Sequence, residues 1–183
     1  MSTDRLREPW QSFLRDLDAL LKEPTDLHYL GGFVIAECYG LTRATVDIDV
    51  LESRGVSAAT VAALAGRGSA LHKRHRVYVD VVTVADVPDS YEDRLVEAPF
   101  RFTNLRLLAF ERHDLVLAKL ARNNDRDRAD VTAIAAGPGL DGDVLRRRYA
   151  EQLRYKLGRP EREDLTLDLW IEIIEEASKK PDN

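Results

Sequence analysis

The chain has 183 residues, of which 44% are hydrophobic and 32% are charged, and its formal net charge at pH 7 is -5. This balance excludes a disordered chain and a membrane-embedded one, because no apolar run approaches the roughly 18 residues of a membrane span. It also excludes a protein that coats nucleic acid through bulk charge alone. Cys38 is the only cysteine and the first residues are charged. We therefore expect a cytoplasmic protein without internal disulfides.

The first half of the chain predicts alternating helices and strands. Apolar residues at helical spacing follow Pro9, and Val-rich or alternating runs indicate strands. Helices are expected over 10–21, 33–39 and 57–64, and strands over 28–30, 46–51 and 76–84.

The second half predicts mainly helices. Residues 88–99 indicate a surface connection, 105–110 a strand, and Asp114 the N-cap of a helix over 115–121. Further helices are expected over 127–136, 144–157 and 165–178. We predict an α/β (α+β) fold, in which helices flank a small mixed sheet. The predicted domains are a core over 1–111, with its N-terminal helix, and a helical C-terminal subdomain over 112–183, packed on that core.

The pattern Asp-x-Asp occurs four times, and its context distinguishes one copy. Alternate residues of a strand point the same way, whereas on a helix they lie about 200° apart. Asp16 and Asp18 are therefore predicted to be solvated charges on the first helix. Asp47 and Asp49 lie on a predicted strand and would share the face opposite to the core. Paired carboxylates of this kind are suited to Mg²⁺ or Mn²⁺.

Asp80 stands alone inside the apolar run Tyr78-Val79-Asp80-Val81-Val82. A buried lone charge is costly. Asp80 is therefore expected either on a solvated edge or facing the same metal as the pair.

Two groups of basic or imidazole side chains have competing interpretations. His72 and His75 suit metal ligands on one helical face, but their basic neighbours favour an exposed hairpin. Six Lys and Arg residues lie between 144 and 160 against the single acid Glu151. This stretch is interpreted either as a solvated helix face or as a surface for RNA or another anion.

The order of these motifs resembles the polymerase-β-like nucleotidyltransferase superfamily. A Gly31-Gly32 turn precedes a helix, Asp47-Ile48-Asp49 follows on a strand, and Asp80 lies on a later strand. This version is similar to the bacterial AbiEii-type toxins and their uncharacterised relatives. The segments 114–122 and 127–131 also resemble the Lys-Leu…Arg-Asp-x-x-Asp block of those relatives.

The resemblance implies roles for these residues. Gly31 and Gly32 would let the backbone approach phosphate, and Asp47 and Asp49 would hold Mg²⁺ or Mn²⁺. Asp80 would complete a two-metal site or take the proton from the attacking hydroxyl. The remaining implied residues are the phosphate-binding Arg43, Thr45, Lys119 and Arg122 and the supporting Asp127 and Asp130. Thr45 would either bind a phosphate or only cap its strand.

The resemblance implies a Mg²⁺-dependent enzyme that moves a nucleoside monophosphate from ATP or another NTP to a hydroxyl acceptor. The acceptor would be RNA or protein, and the enzyme would be a toxin whose partner is an antitoxin protein. Two alternatives stay open. One is a nucleotidyltransferase for a small molecule such as an aminoglycoside, and the other is a non-catalytic nucleotide-binding or interaction module on the same fold.

Overall fold

The computed structural model describes residues 6–39 and 44–178, which form two compact units. The first unit contains the described residues up to 84 together with 95–110, and the second contains 85–94 and the described residues from 111 onward. The assignment of residues 1–111 to a core domain and of 112–183 to a helical subdomain stays a prediction. No helix among the described residues is long and apolar enough to cross a membrane.

A mixed five-stranded sheet forms the centre of the first unit, and it confirms the predicted fold class. Its strands lie in the order β3-β2-β1-β5-β4. Strand β1 pairs with β2 antiparallel and with β5 parallel, β2 pairs with β3 parallel, and β4 pairs with β5 antiparallel. The strand bounds are β1 Thr25–Leu30, β2 Asp47–Arg54, β3 Tyr78–Val81, β4 Val96–Glu97 and β5 Leu105–Ala109.

Four helices belong to the first unit: α1 Trp10–Leu20, α2 Gly32–Cys38, α3 Ala58–Ala65 and α4 Ala70–His75. The side chains of Phe13, Leu14 and Leu17 on α1 are fully buried. Their spacing places them on one face of the helix, as the sequence predicts. Ser57 caps α3 by accepting a hydrogen bond from the backbone N–H of Thr60 at 3.1 Å.

Helix α4 corrects two sequence predictions. The residues expected to form a basic hairpin are helical, because Ser69 caps α4 by accepting from the backbone N–H of His72 at 3.1 Å. Arg76 ends the helix with a left-handed φ of 63°. The strand expected over 76–84 is therefore shorter, and β3 covers only the residues that pair with β2 from Asp47 to Val50.

The acids of α1 are partnered rather than simply solvated, contrary to prediction. Asp18 accepts hydrogen bonds from three consecutive backbone N–H groups, those of Thr103, Asn104 and Leu105, at 3.1, 2.6 and 2.9 Å. Asp16 lies 2.8 Å from Nε2 of His75. These contacts connect α1 to the start of β5 and to α4.

The second unit is helical, as predicted for the C-terminal part. Its helices are α5 Arg112–Leu117, α6 Asp125–Ala135, α7 Gly142–Arg148 and α8 Pro160–Ser178. Short 3₁₀ turns cover Tyr91–Arg94 and Arg154–Lys156. The helix expected over 144–157 ends earlier, because a π-helical turn over Tyr149–Leu153 follows α7.

The N-cap of α5 is Glu111, not Asp114 as predicted. Glu111 accepts from the backbone N–H of His113 at 3.2 Å, and α5 therefore begins three residues earlier than expected. Asp114 is buried inside the helix, where Arg94 and Arg148 donate to its carboxylate. A buried acid between two arginines is unavailable as a cap.

Helix α8 exposes two of its three leucines. Leu165 and Leu169, which lie four residues apart, are 68% and 59% exposed. Trp170 and Ile171 are buried instead. The apolar spacing in this segment therefore predicts the helix but not its buried face.

Candidate active site

The carboxylates of β2 lie on the face opposite to its buried side chains. Ile48 and Val50 are fully buried, whereas Asp47 and Asp49 are half-buried. Strand β3 runs parallel beside β2, and its Asp80 is the Cα partner of Asp49. Because directly paired residues of neighbouring strands share a face, the backbone places all three acids on one side of the sheet.

The carboxylates themselves are not gathered around a single point. Among residues 6–39 and 44–178, no group of three or more His, Cys, Asp or Glu side chains is arranged to hold a metal ion. Carboxylate oxygens nevertheless fit Mg²⁺ and Mn²⁺ as donors, and Asp80 is exposed. The convergence of Asp47, Asp49 and Asp80 on one metal stays a prediction.

Two hydroxyl groups orient the carboxylate of Asp47. Oγ1 of Thr45 donates to Oδ1 of Asp47 at 2.8 Å, and the phenol of Tyr78 donates to Oδ2 at 3.3 Å. Tyr78 is the Cα partner of Asp47 on β3. Thr45 therefore orients Asp47 at the start of β2. A contact between Thr45 and a phosphate stays a prediction.

Gly31 approaches Asp49 closely. Its φ of 81° is favoured by glycine, and a Cβ at this position would lie 1.8 Å from Oδ2 of Asp49. A Cβ on Gly32 would meet only Thr45, at 3.5 Å, which is an ordinary contact. The structure thus brings the glycine turn to the β2 carboxylates, and phosphate binding by Gly31 and Gly32 stays a prediction.

Two predicted phosphate-binding cations, Lys119 and Arg122, are ion-paired within the second unit. Nζ of Lys119 lies 2.8 Å from Asp130 and 3.4 Å from Asp127, and the Arg122 guanidinium lies 2.6 Å from Asp127. The side chain of Lys119 is 5% exposed. The third predicted cation, Arg43, lies outside the described residues.

Asp127 is the centre of this ion-pair cluster. Its carboxylate also accepts from the backbone N–H of Asn124, and the Asn124 side chain accepts in return from the backbone N–H of Asp127, which completes a capping box. Burial alone would raise the pKa of Asp127. The hydrogen bond from Arg122 and the charge of Lys119 outweigh it and lower that pKa below its ordinary value. A phosphate-binding role for Lys119 and Arg122 stays a prediction.

The basic stretch between 144 and 160 is largely neutralised by acids of the second unit. Arg154 pairs with Asp164, Arg148 with Glu111 and Asp114, and Lys156 with Asp89. Burial would raise the pKa of Glu111, but His113 and Arg148 lower it to about 2. The described contacts favour a structural role for these cations.

Sequence reasoning missed Arg67 and Tyr78. The Arg67 guanidinium lies 4.7 Å from the centroid of the Tyr78 ring and donates to the Tyr78 hydroxyl. His72, considered above as a metal ligand, instead accepts from the backbone N–H of Gly68 at 2.8 Å. One signal was available in the sequence: Arg67 stands between two glycines, shortly before the helix that leads to the strand of Asp80.

A protein-family model described as "nucleotidyltransferase of unknown function (DUF6036)" matches residues 14–178. No curated protein and no solved structure matches the chain. The family match covers most of the chain, including most of each compact unit and the strands of the three acids. The chain therefore belongs to this nucleotidyltransferase family.

Proposed function

We propose that this family member is an active, Mg²⁺-dependent enzyme that moves a nucleoside monophosphate from an NTP to a hydroxyl acceptor. One observation carries the proposal: the register of β2 and β3 places Asp80 beside Asp49, on the face that also holds Asp47. The glycine turn supports it, because the absence of a side chain at Gly31 lets the backbone lie directly against the Asp49 carboxylate.

Asp47 and Asp49 would hold the metal ion in this proposal. Thr45 and Tyr78 support that role, because hydrogen bonds from neighbouring groups fix the orientation of a ligand carboxylate. A bound Mg²⁺ supplies positive charge that stabilises the transferring phosphoryl group.

Asp80 would act on the acceptor. Its exposed side chain is accessible to a hydroxyl group, whose proton it accepts while the hydroxyl oxygen bonds to the α-phosphorus. The bond from that phosphorus to the oxygen bridging the α- and β-phosphates breaks, and pyrophosphate leaves. The alternative role for Asp80 is as a third metal ligand.

The finer identity of the enzyme rests on sequence resemblance alone. The glycine turn, the Asp47-Ile48-Asp49 strand and the Lys119 to Asp130 block are similar to those of AbiEii-type toxins. We therefore propose RNA or protein as the acceptor, and growth arrest as the consequence of transfer in a cell without the antitoxin. The cytoplasm supplies NTP and Mg²⁺ for this reaction.

The test is incubation of the purified protein with Mg²⁺ and each α-labelled NTP. Total RNA, tRNA and the protein itself serve as acceptors. We expect label on one acceptor, together with released pyrophosphate. Asp49→Asn should lower the rate by about two to three orders of magnitude, because the site loses a carboxylate charge that holds the metal, and the metal stabilises the transferring phosphoryl group.

Asp168→Asn is the matched control, since Asp168 is exposed on α8. It should retain the full rate. A folded Asp49→Asn protein with wild-type transfer would contradict the catalytic assignment. Persistent growth arrest with that variant would instead support an interaction module.

A further inference from the structure

Arg67 contacts an aromatic side chain instead of an acid. Among the described residues, its contacts are the hydroxyl and the ring of Tyr78, and neither is charged. By comparison, Arg106 pairs with Asp26 and Arg74 with Asp16. Arg67 is exposed, so its positive charge is accessible to an anion from solvent.

The position of Arg67 is fixed by its surroundings. Tyr78 is 4% exposed, and its ring lies edge-on to His72 with centroids 5.1 Å apart. His72 in turn accepts from Gly68, the residue after Arg67, and this contact anchors the loop. A guanidinium that stacks on a tyrosine ring and donates to its hydroxyl is already ordered. It therefore loses less conformational freedom when it binds an anion than a guanidinium that is surrounded by solvent.

The same contacts connect Arg67 to the carboxylate site. The Tyr78 hydroxyl receives the Arg67 hydrogen bond and donates to Asp47 at 3.3 Å. One phenol oxygen therefore separates a positive guanidinium from an acid proposed to hold the metal. The triphosphate of a nucleotide carries more negative charge than one divalent metal ion neutralises. A planar guanidinium binds phosphate oxygens in pairs.

We infer that Arg67 binds the triphosphate of the nucleotide beside Asp47 and that Tyr78 positions it. The inference rests on the proposed function, because it places the nucleotide at the β2 carboxylates. It assigns the phosphate-binding charge to the loop between α3 and α4, within the unit that carries the three acids.

The test measures binding of inorganic tripolyphosphate in the presence of Mg²⁺ by titration calorimetry. This probe carries the triphosphate without a base or a reacting acceptor. Arg67→Gln should weaken its affinity by about tenfold or more, since a charge-assisted hydrogen bond to phosphate is lost. Arg67→Lys should recover part of that loss, because it restores the charge but not the paired geometry.

Arg74→Gln is the matched control, because Arg74 is also an exposed arginine of this unit and pairs with Asp16. It should bind tripolyphosphate like the wild type. Tyr78→Phe retains the ring and should weaken binding less than Arg67→Gln, and circular dichroism of each variant checks the fold.

The outcomes separate the inference from the proposed function. Mg²⁺-dependent binding that Asp49→Asn abolishes but Arg67→Gln leaves unchanged would overturn the role of Arg67 and leave the proposed function standing. A wild-type protein that binds neither tripolyphosphate nor any NTP would overturn both. An equal loss with Arg74→Gln would show a general charge effect and would also overturn the inference.

Discussion

Two clusters of acids in this protein differ in how their charge is compensated. The acids of β2 and β3 lie on a partly solvated face, where hydroxyl groups orient Asp47 and a glycine touches Asp49. Asp127 and Asp130 of α6 are buried and paired with the cations Lys119 and Arg122. Acids that are paired with buried cations stabilise the fold, whereas acids on a solvated face keep their charge available for a metal. Substitutions in the α6 cluster should therefore lower stability, and substitutions at the β2 carboxylates should lower metal binding.

The largest effect on stability is expected from Asp127→Ala. It removes one of the two acids that pair with buried Lys119 and one ion-pair partner of Arg122. Breaking a buried ion pair costs about 3 kcal/mol or more of unfolding free energy. Urea unfolding measures the loss. Asp125→Ala is the control, because Asp125 is 97% exposed and should cost about 0.5 kcal/mol or less. Equal losses would show that the buried cluster does not stabilise the second unit.

A smaller loss is expected when the glycine turn is filled. Gly31→Ala places a Cβ 1.8 Å from Oδ2 of Asp49 and forces alanine to a φ of 81°, which costs about 2 kcal/mol of unfolding free energy. Gly32→Ala meets only an ordinary contact and should be close to neutral. Thermal unfolding of the two variants compares them. Equal stability would mean that Asp49 does not lie against Gly31.

The ion pairs of Glu111 should make the second unit sensitive to acid. The pKa of Glu111 falls from its ordinary 4.5 to about 2. Because this pKa is depressed in the folded state, its stabilising contribution is present above pH 4.5 and is lost as the pH falls to about 2. At pH 7 the wild type should exceed Glu111→Gln by about 2 kcal/mol of unfolding free energy, allowing for partial exposure. A difference that persists near pH 2 would contradict this origin.

The smallest effect is expected from the hydroxyl that orients Asp47. Thr45→Val retains the shape of the side chain but removes the 2.8 Å hydrogen bond. Loss of such a supporting contact weakens metal binding by about tenfold. Titration with Mn²⁺ measures the change, with Thr103→Val as an exposed control. Unchanged Mn²⁺ affinity in Thr45→Val would contradict the assignment of Asp47 as a metal ligand.

Periodicity predicted the elements whose burial follows a regular pattern. The spacing of Phe13, Leu14 and Leu17 predicted α1, and the alternation around Ile48 predicted which face of β2 carries its acids. Strands β1, β2, β3 and β5 were predicted, whereas the two-residue strand β4 falls in the segment 88–99 that was expected to be a surface connection.

Contacts between residues distant in sequence explain the predictions that were wrong. Asp18 is held by the backbone at 103–105, and Asp114 by Arg94 and Arg148. None of these partners is identified by local spacing. The pairing of Asp49 with Asp80 likewise needed the register of two strands, although each acid was predicted separately.

The position of a bound metal tests the central claim most directly. A crystal of the full chain with Mn²⁺ and a non-hydrolysable nucleoside triphosphate locates the ion by its anomalous scattering. We expect the ion to contact the carboxylates of Asp47 and Asp49, on the sheet face that also carries Asp80. A nucleotide-bound crystal at saturating Mn²⁺ in which neither acid contacts an ion would contradict the account.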